Sequence, residues 1–309
     1  MNVAFLVQAH TNAKQVLRFV KSLSQLGDVY IHVDKKAKDA ALMEGLSNMK
    51  GEKFEVMPFQ LISVNWGGYS QVRCQHALLQ KALERTEKHY DRLFFLSGLD
   101  YMVYNEKRFI SFCKENTGKE FVCGFNITTS GVERQLSRIV LYHFLRDIPI
   151  PRSTLRRMVV GGTMLLLKYL GFRRKPYLIV NGEKWNVWYG TSWFSLTGKC
   201  ADYVLNQLNE NKSLEKYFST SYASDEMVVP TIVFNSEFKG HAIPGHIPAL
   251  VELTPLHYLH YTDHIWTYDE TEFDKIIASN RMFVRKIVSP KSDKLVELIE
   301  QHKKNSQPS

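Results

Sequence analysis

Three polar residues that could bind a ligand or transfer a proton lie at the ends of strand-like apolar runs in this 309-residue chain. They are His10, Asp34 and Asp100. Imidazole and carboxylate groups can act in acid–base chemistry or hold a polar ligand through hydrogen bonds. Because ligands of open α/β sheets bind beyond the carboxyl ends of the strands, we expect these three residues near one crevice.

Two adjacent carboxylates, Asp225 and Glu226, precede a predicted helix that runs to Phe234. Considered alone, they are acidic residues of a first helical turn, which the helix dipole stabilises, and Ser224 or Asp225 is well placed as the cap. Catalytic use of either carboxylate needs support from elsewhere in the chain.

The sequence lacks the common motifs for nucleotides, metals and nucleophilic serine. It has no GxxxxGK[ST] loop, no GxGxxG after a strand, no GxSxG, no HExxH and no zinc-finger spacing. It also has no Asp-x-Asp pair, and the nearest spelling, Glu-Phe-Asp at 272–274, falls in a helix-like stretch. We therefore predict no metal site, so an enzyme with this sequence that used a nucleotide sugar would neutralise the diphosphate with side-chain cations.

Strands and helices are predicted to alternate through the first half of the chain. Between two of the strands, apolar residues recur at helical spacing, which forms a βαβ unit, and a further helix is predicted over 70–86. This alternation predicts an open α/β sheet. The predicted strands cover residues 2–9, 29–33, 54–56, 92–96 and 121–125.

The composition is that of a soluble globular protein, with 44% hydrophobic and 23% charged residues. It excludes a disordered chain, a collagen-like repeat and a disulfide-stapled miniprotein. The formal net charge of +9 favours a nucleic acid, an anionic membrane or a nucleotide-linked substrate as partner. Four scattered cysteines predict reduced structural thiols.

Basic residues concentrate in 131–184, which we interpret as an insertion containing an apolar helical stretch at 158–170. Cations beside such a stretch in 134–175 suit peripheral contact with an anionic membrane, and they suit equally a packed helix with a solvated basic rim. No stretch reaches the roughly 20 apolar residues of a membrane helix. We expect a cytoplasmic protein, with a peripheral position on the inner face of the membrane as the further expectation.

Six segments, in order, resemble the core-2/I-branching enzyme family of glycosyltransferases. That family holds β-1,6-N-acetylglucosaminyltransferases and peptide O-xylosyltransferases, and the resemblance spans 3–288. Ser224 and Met102 occupy positions where the family has proline. These differences leave the identities of the donor sugar and the acceptor open, and they affect the expected fold less. The segments are IHVDKK at 31–36, VNWGGYS at 64–70, FFLSGLD at 94–100, TSWF at 191–194, YASDE at 222–226 and MFVRKI at 282–287.

The resemblance implies a bacterial-type enzyme with a GT-A fold, an α/β fold with a Rossmann-like nucleotide-binding half. A single domain is expected over 1–288, followed by an amphipathic helix and polar tail over 289–309. The implied activity is metal-independent, inverting transfer of GlcNAc from UDP-GlcNAc to a glycan hydroxyl in bacterial surface polysaccharide synthesis. No cofactor is expected beyond the UDP-sugar co-substrate. Two alternatives stay open: a UDP-xylose-dependent enzyme of the same family, and a basic nucleic-acid-binding protein.

The resemblance also assigns roles to the chemical groups. Glu226 is implied as the catalytic base, with Asp225 capping or positioning it. Lys286 is implied to hold the diphosphate, together with Arg285 or with His257, which would replace an upstream arginine of the family.

The nucleoside and the sugars need further residues. Asp34 would bind uracil or ribose, with Gln8 and His10 packing on them. The remaining candidates belong to the donor or acceptor pocket; a core position is favoured for the first tryptophan and is an equal alternative for the second. These candidates are Trp66, Gly98, Asp100, Ser192, Trp193 and Asp225.

Overall fold

A computed structural model describes residues 1–51, 53–85, 87–148 and 154–306, without the side chains of 155–157. The end of the predicted polar tail, at 307–309, lies outside them. The strands are β1 (Val3–Ala9), β2 (Asp28–Val33), β3 (Val56–Phe59), β4 (Arg92–Ser97), β5 (Asp100–Met102), β6 (Cys123–Asn126), β7 (Tyr177–Val180), β8 (Glu183–Asn186), β9 (Trp188–Tyr189), β10 (Ser195–Thr197), β11 (Ile243–Pro244), β12 (His257–Tyr258) and β13 (Phe283–Arg285).

Eleven α-helices occur in the described part of the chain. They are α1 (Ala13–Leu23), α2 (Ala40–Asn48), α3 (Ser70–Leu83), α4 (Glu106–Glu115), α5 (Glu133–Val140), α6 (Thr154–Tyr169), α7 (Gly198–Glu210), α8 (Lys212–Phe218), α9 (Val228–Phe234), α10 (Phe273–Ala278) and α11 (Asp293–Asn305).

A five-stranded sheet in the order β10-β4-β1-β2-β3 forms the centre of the protein. The strands β4, β1, β2 and β3 are parallel, and β10 is antiparallel at the edge. Parallel pairs need crossover connections, which α1 and α3 supply between strands. The sheet and its helices confirm the α/β class and are consistent with the expected GT-A fold.

Both faces of the central sheet are covered, and β1 illustrates how. Its residues point alternately to opposite faces, so Phe5 belongs to the buried cluster that contains Phe19 of α1. Leu6 belongs to the cluster on the other face, which contains Leu78 of α3. All four side chains are fully buried, and burial of each contributes about 1.5–3 kcal/mol. Coverage on two faces explains why β1 reads as a continuous apolar run.

A small second sheet, β12-β13-β5, lies at the carboxyl end of β4. The strand β13 is antiparallel to β5, with Arg285 opposite Asp100, and parallel to β12, with His257 opposite Phe283. Backbone pairing therefore brings together residues that are far apart in sequence.

Two local expectations were wrong. The third strand is Val56–Phe59 rather than 54–56. The carboxylate segment forms a 3-10 turn, Ser224–Glu226, before α9, and it has no side-chain cap. Ser224 Oγ donates instead to the carbonyl of Phe218 over 2.6 Å. The carboxylates are thus available for contacts other than capping.

The four cysteines are buried free thiols. Within the described residues, no helix is long and apolar enough to cross a membrane.

Candidate active site

Asp34 connects the carboxyl end of β2 to the loop before α3. Its Oδ1 accepts hydrogen bonds from the backbone amides of Lys36 (2.9 Å) and Val64 (3.2 Å). The Lys36 ammonium donates in turn to the Val64 carbonyl and to Asn65 Oδ1. These bonds fix the entrance of the Trp-Gly-Gly loop at the edge where β1 and β2 end.

The loop's tryptophan is exposed, contrary to the favoured core position. Trp66 is 61% exposed and stands edge-on to Tyr222, with ring centroids 5.7 Å apart. Gly67 explains this position, because its φ is +72° and a Cβ there would lie 2.7 Å from the Tyr222 ring. With only a hydrogen as its side chain, Gly67 lets the loop turn against Tyr222 and leaves the indole on the surface.

Gln71 ties this loop to the carboxylate segment. Its Oε1 accepts from the Gly67 amide over 2.7 Å, and its Nε2 donates to Asp225 Oδ2 over 2.9 Å. Asp225 Oδ2 also accepts from Ser192 Oγ. One buried carboxylate thus joins three of the segments that carried the family resemblance.

Glu226 forms an ion pair that sequence reasoning missed. Arg138 Nη1 donates to Glu226 Oε2 over 2.6 Å, and the Glu226 side chain keeps 25% exposure. The guanidinium carbon lies 4.8 Å and 5.3 Å from the ring centroids of Tyr189 and Tyr222. In the sequence Arg138 is one of many cations of the basic insertion, and nothing there distinguishes it.

Asp225 is almost fully buried, and its Oδ1 has no hydrogen-bond partner among the described residues. Burial, and secondly the charge of Glu226, raise the pKa of Asp225 to about 7, against the lowering effect of Ser192. Asp225 can therefore hold a proton near neutral pH, unlike an ordinary aspartate.

A second buried carboxylate, Asp100, organises the C-terminal cations. Its Oδ1 accepts from Arg285 Nη1 over 2.7 Å, and its Oδ2 lies 3.2 Å from His257 Nε2. Burial raises the pKa of Asp100, but the charges of Arg285 and His257 outweigh it and the net pKa is lowered. The carboxylate is therefore held ionised beneath the site.

These contacts correct two expectations. The Asp100 and His257 side chains are 0% exposed and face each other, so neither lines an open pocket for sugar or phosphate. Gly98 is also buried, and a Cβ there would approach Val16 and Ala9 at about 3 Å, so its role is close packing against β1 and α1.

Trp193 joins the two carboxylate centres. The Arg285 guanidinium lies 4.1 Å from the Trp193 ring centroid, and Ser192, the preceding residue, binds Asp225. Trp193 is half-buried, so it combines packing with a partly open face. Asp225 and Arg285, the sequence neighbours of Glu226 and Lys286, are therefore linked through consecutive residues of one segment.

Lys286 follows Arg285 at the end of β13 and is half-buried. It makes no salt bridge with any residue that the structure describes. Burial, and then the charge of Arg285, lower its pKa from the usual lysine value. A half-buried ammonium without a counter-charge is suited to bind an anion.

Gln8 and His10 lie at the end of β1. The Gln8 carbonyl accepts from the Gly98 amide over 2.8 Å, and its side-chain Nε2 is buried without a partner among the described residues. His10 is exposed and also has interactions within the protein. Across 1–51, 53–85, 87–148 and 154–306, no group of three or more His, Cys, Asp or Glu side chains could hold a metal ion.

Comparison with solved structures adds a likeness to HddC from Yersinia pseudotuberculosis, with 11% identity over 65% of this chain and 79% of HddC and a TM-score of 0.30. A TM-score this low supports no conclusion about fold or function. Comparison with curated proteins gave no match. The family model of the Core-2/I-Branching enzyme matches residues 3–288, nearly the whole chain. This protein therefore belongs to the Core-2/I-branching enzyme family and is a glycosyltransferase.

Proposed function

We propose that the protein transfers GlcNAc from UDP-GlcNAc to a hydroxyl group of a glycan, with inversion and without a metal ion. The observation that carries the proposal is the set of contacts around the TSWF segment, in which Ser192 binds Asp225, the neighbour of Glu226, and Trp193 stacks on Arg285, the neighbour of Lys286. On this proposal Glu226, a partly exposed carboxylate, and Lys286, an ammonium without a salt bridge to any described residue, supply the two charges that the reaction needs. The acceptor glycan belongs, on this proposal, to a bacterial surface polysaccharide.

Glu226 is the base in this proposal. Its carboxylate takes the proton of the acceptor hydroxyl, and the oxygen forms a bond to the anomeric carbon as the bond from that carbon to the UDP oxygen breaks. Attack from the face opposite UDP inverts the anomeric centre. Arg138 holds the carboxylate in place through the 2.6 Å ion pair.

Lys286 stabilises the negative charge that develops on the departing diphosphate. Arg285 acts as a positioning residue, because its guanidinium is already paired with Asp100 and stacked on Trp193. Metal independence is supported by the sequence, which has this cation pair and no Asp-x-Asp. In this proposal Asp34, at the end of β2, binds the nucleoside together with Gln8 and His10, at the end of β1.

Two measurements test the proposal. Glu226→Gln keeps the shape of the side chain but cannot accept the proton, so transfer should fall by at least about a hundredfold while UDP still raises the Tm. Normal turnover by this variant would remove Glu226 from the role. Activity should also survive EDTA; loss of activity that Mn²⁺ restores would refute the metal-free mechanism.

The donor sugar is tested separately. Hydrolysis of UDP-GlcNAc and UDP-xylose, compared without acceptor, should favour UDP-GlcNAc. Faster hydrolysis of UDP-xylose would assign the protein to the xylosyltransferases of the same family.

A further inference from the structure

The helix α6 carries an apolar face that no other described part of the chain covers. Among its described side chains only Val160 is buried. A Cβ added at Gly161 or Gly162 would meet nothing within 4 Å. The exposed apolar side chains of α6 and the residues just after it are Met158, Val159, Leu165, Leu166, Tyr169, Leu170 and Phe172.

The exposed side chains within α6 form one continuous surface. At about 100° per residue, Met158, Leu165 and Tyr169 fall almost on one line along the helix, with Val159 and Leu166 beside them. Together they cover an arc of roughly 120°. Tyr169 is 90% exposed and Met158 68% exposed, which is unusual for a packed amphipathic helix. We call this surface the α6 face.

The charged residues along the chain from 148 to 182, which includes α6, have one sign. Residues 148–182 contain seven Lys and Arg residues and no Asp or Glu. Lys168, Arg173 and Lys175 are exposed and form no salt bridge with described residues. Single-sign charge beside exposed apolar area distinguishes this surface from an ordinary solvated helix, which mixes both signs.

We infer that the α6 face binds the anionic surface of a lipid bilayer. An apolar arc enters the boundary between headgroups and acyl chains, while lysine and arginine at its border pair with anionic headgroups. A second copy of this chain fits less well, because its own α6 face would bring cations against cations. A nucleic acid would contact the cations but leave the apolar side chains in water.

Both ends of the α6 segment are attached close to the candidate site. Before α6, the Asp147 carboxylate accepts from the Ser70 amide over 3.0 Å, at the start of α3. After α6, the Arg174 guanidinium donates to Ser221 Oγ (2.6 Å) and Thr220 Oγ1 (2.8 Å), a few residues before Glu226. Binding of α6 would therefore place Glu226 near the membrane surface. The inference does not depend on the identity of the donor or acceptor.

The test is co-sedimentation of the full chain with vesicles of phosphatidylcholine alone and of phosphatidylcholine with an equal part of phosphatidylglycerol. The wild-type protein should bind the anionic vesicles and not the neutral ones, and NaCl should weaken binding. The double variant Leu165→Asp/Leu166→Asp should bind at least about tenfold more weakly. The matched control is Leu61→Asp/Ile247→Asp, which changes equally exposed apolar residues elsewhere and should bind like the wild type.

Charge is tested by Lys168→Glu/Arg173→Glu, which should reduce binding to anionic vesicles by at least about tenfold. Its control, Lys199→Glu/Lys212→Glu, makes the same change in net charge at exposed positions and should reduce binding much less. All variants should keep the wild-type Tm and donor hydrolysis, which shows that they are folded.

Two results would overturn the inference. One is equal vesicle binding by the α6 variants and their controls. The other is a wild-type dimer that Leu165→Asp/Leu166→Asp converts to a monomer, since a second copy would then cover the α6 face.

Discussion

Arg138 Nη1 lies 2.6 Å from Glu226 Oε2, and the guanidinium is packed against the rings of Tyr189 and Tyr222. The two aromatic contacts restrain the arginine, and the ion pair in turn restrains the Glu226 carboxylate. A base must point at the acceptor hydroxyl before it can take the proton, so we assign Arg138 as the positioning residue of the proposed base.

Replacement of Arg138 tests this relationship. Arg138→Gln removes the charge and leaves Glu226 without its partner, so kcat should fall about tenfold or more while the KM for the donor changes little. Arg138→Lys keeps a cation and should recover part of the loss. Steady-state kinetics of both variants separate the two parameters. Loss of donor affinity with kcat unchanged would place Arg138 in donor binding instead.

From the raised pKa of Asp225 we predict that the free energy of unfolding depends on pH. The pKa of Asp225 is about 7 in the folded protein and about 4 when unfolded, so ionisation of Asp225 destabilises the fold. This destabilisation is absent below about pH 4, grows as the pH rises and reaches its full size above about pH 7. Asp225→Asn removes it, and the variant should gain free energy of unfolding relative to wild type across this range, by at most about 4 kcal/mol.

Urea unfolding at a series of pH values measures this difference. Asp263→Asn makes the same chemical change at an exposed position and is the matched control. A flat difference for Asp225→Asn would mean that folding does not raise the pKa of Asp225.

We predict that deprotonation of Lys286 sets the alkaline limit of activity. Its pKa is lowered by burial and by Arg285, so the ammonium should lose its proton, and the diphosphate its stabilising charge, at a lower pH than an ordinary lysine would. Lys286→Ala should reduce kcat about 100- to 1000-fold. Lys286→Arg should retain more activity and move the alkaline limb of the pH–rate profile upward, because arginine stays charged. An unchanged alkaline limb in Lys286→Arg would assign that limb to another group.

We expect substitution of Asp100 to lower the stability of the fold rather than to act directly on substrate binding. Asp100→Asn leaves the buried Arg285 guanidinium without its counter-charge, and loss of one partner of a buried pair costs about 3–5 kcal/mol. The Tm should fall by several degrees, as calorimetry would measure. An unchanged Tm would mean that Arg285 finds another partner.

We predict that Trp66 takes part in binding the acceptor. It is exposed beside Tyr222 and near the carboxylate segment, a position from which an indole ring can stack on a sugar. Trp66→Ala should raise the KM for acceptor about tenfold and leave donor hydrolysis unchanged. Trp266→Ala, at a second exposed tryptophan, serves as the control. Equal effects of the two substitutions would show that exposure alone, rather than position, is responsible.

The elements of the fold followed from local patterns. The run over 2–9 is β1, and the helix predicted over 70–86 is α3, Ser70–Leu83. Strand and helix periodicity depends on neighbouring residues, so the chain itself carries this information. The family resemblance rested on short segments of the same kind, and the family match over 3–288 confirms it.

Pairings between distant residues did not follow from those patterns. Arg138 and Glu226 are 88 residues apart, and Arg285 and Asp100 are 185 apart. Many arginines could have met either carboxylate, and only the strand register of β13 with β5 and the packing of α5 select these two. The exposure of Trp66 likewise depends on how Tyr222 approaches Gly67.

The amino-acid sequence therefore determined the type of each element, the α/β class and the family, because these depend on local apolar periodicity and on short segments. Only the tertiary structure decided which carboxylate is buried, which cation is paired and which apolar helix face stays in water. Those properties are set by the desolvation and charge of neighbours that folding brings together, and such neighbours are not close along the chain.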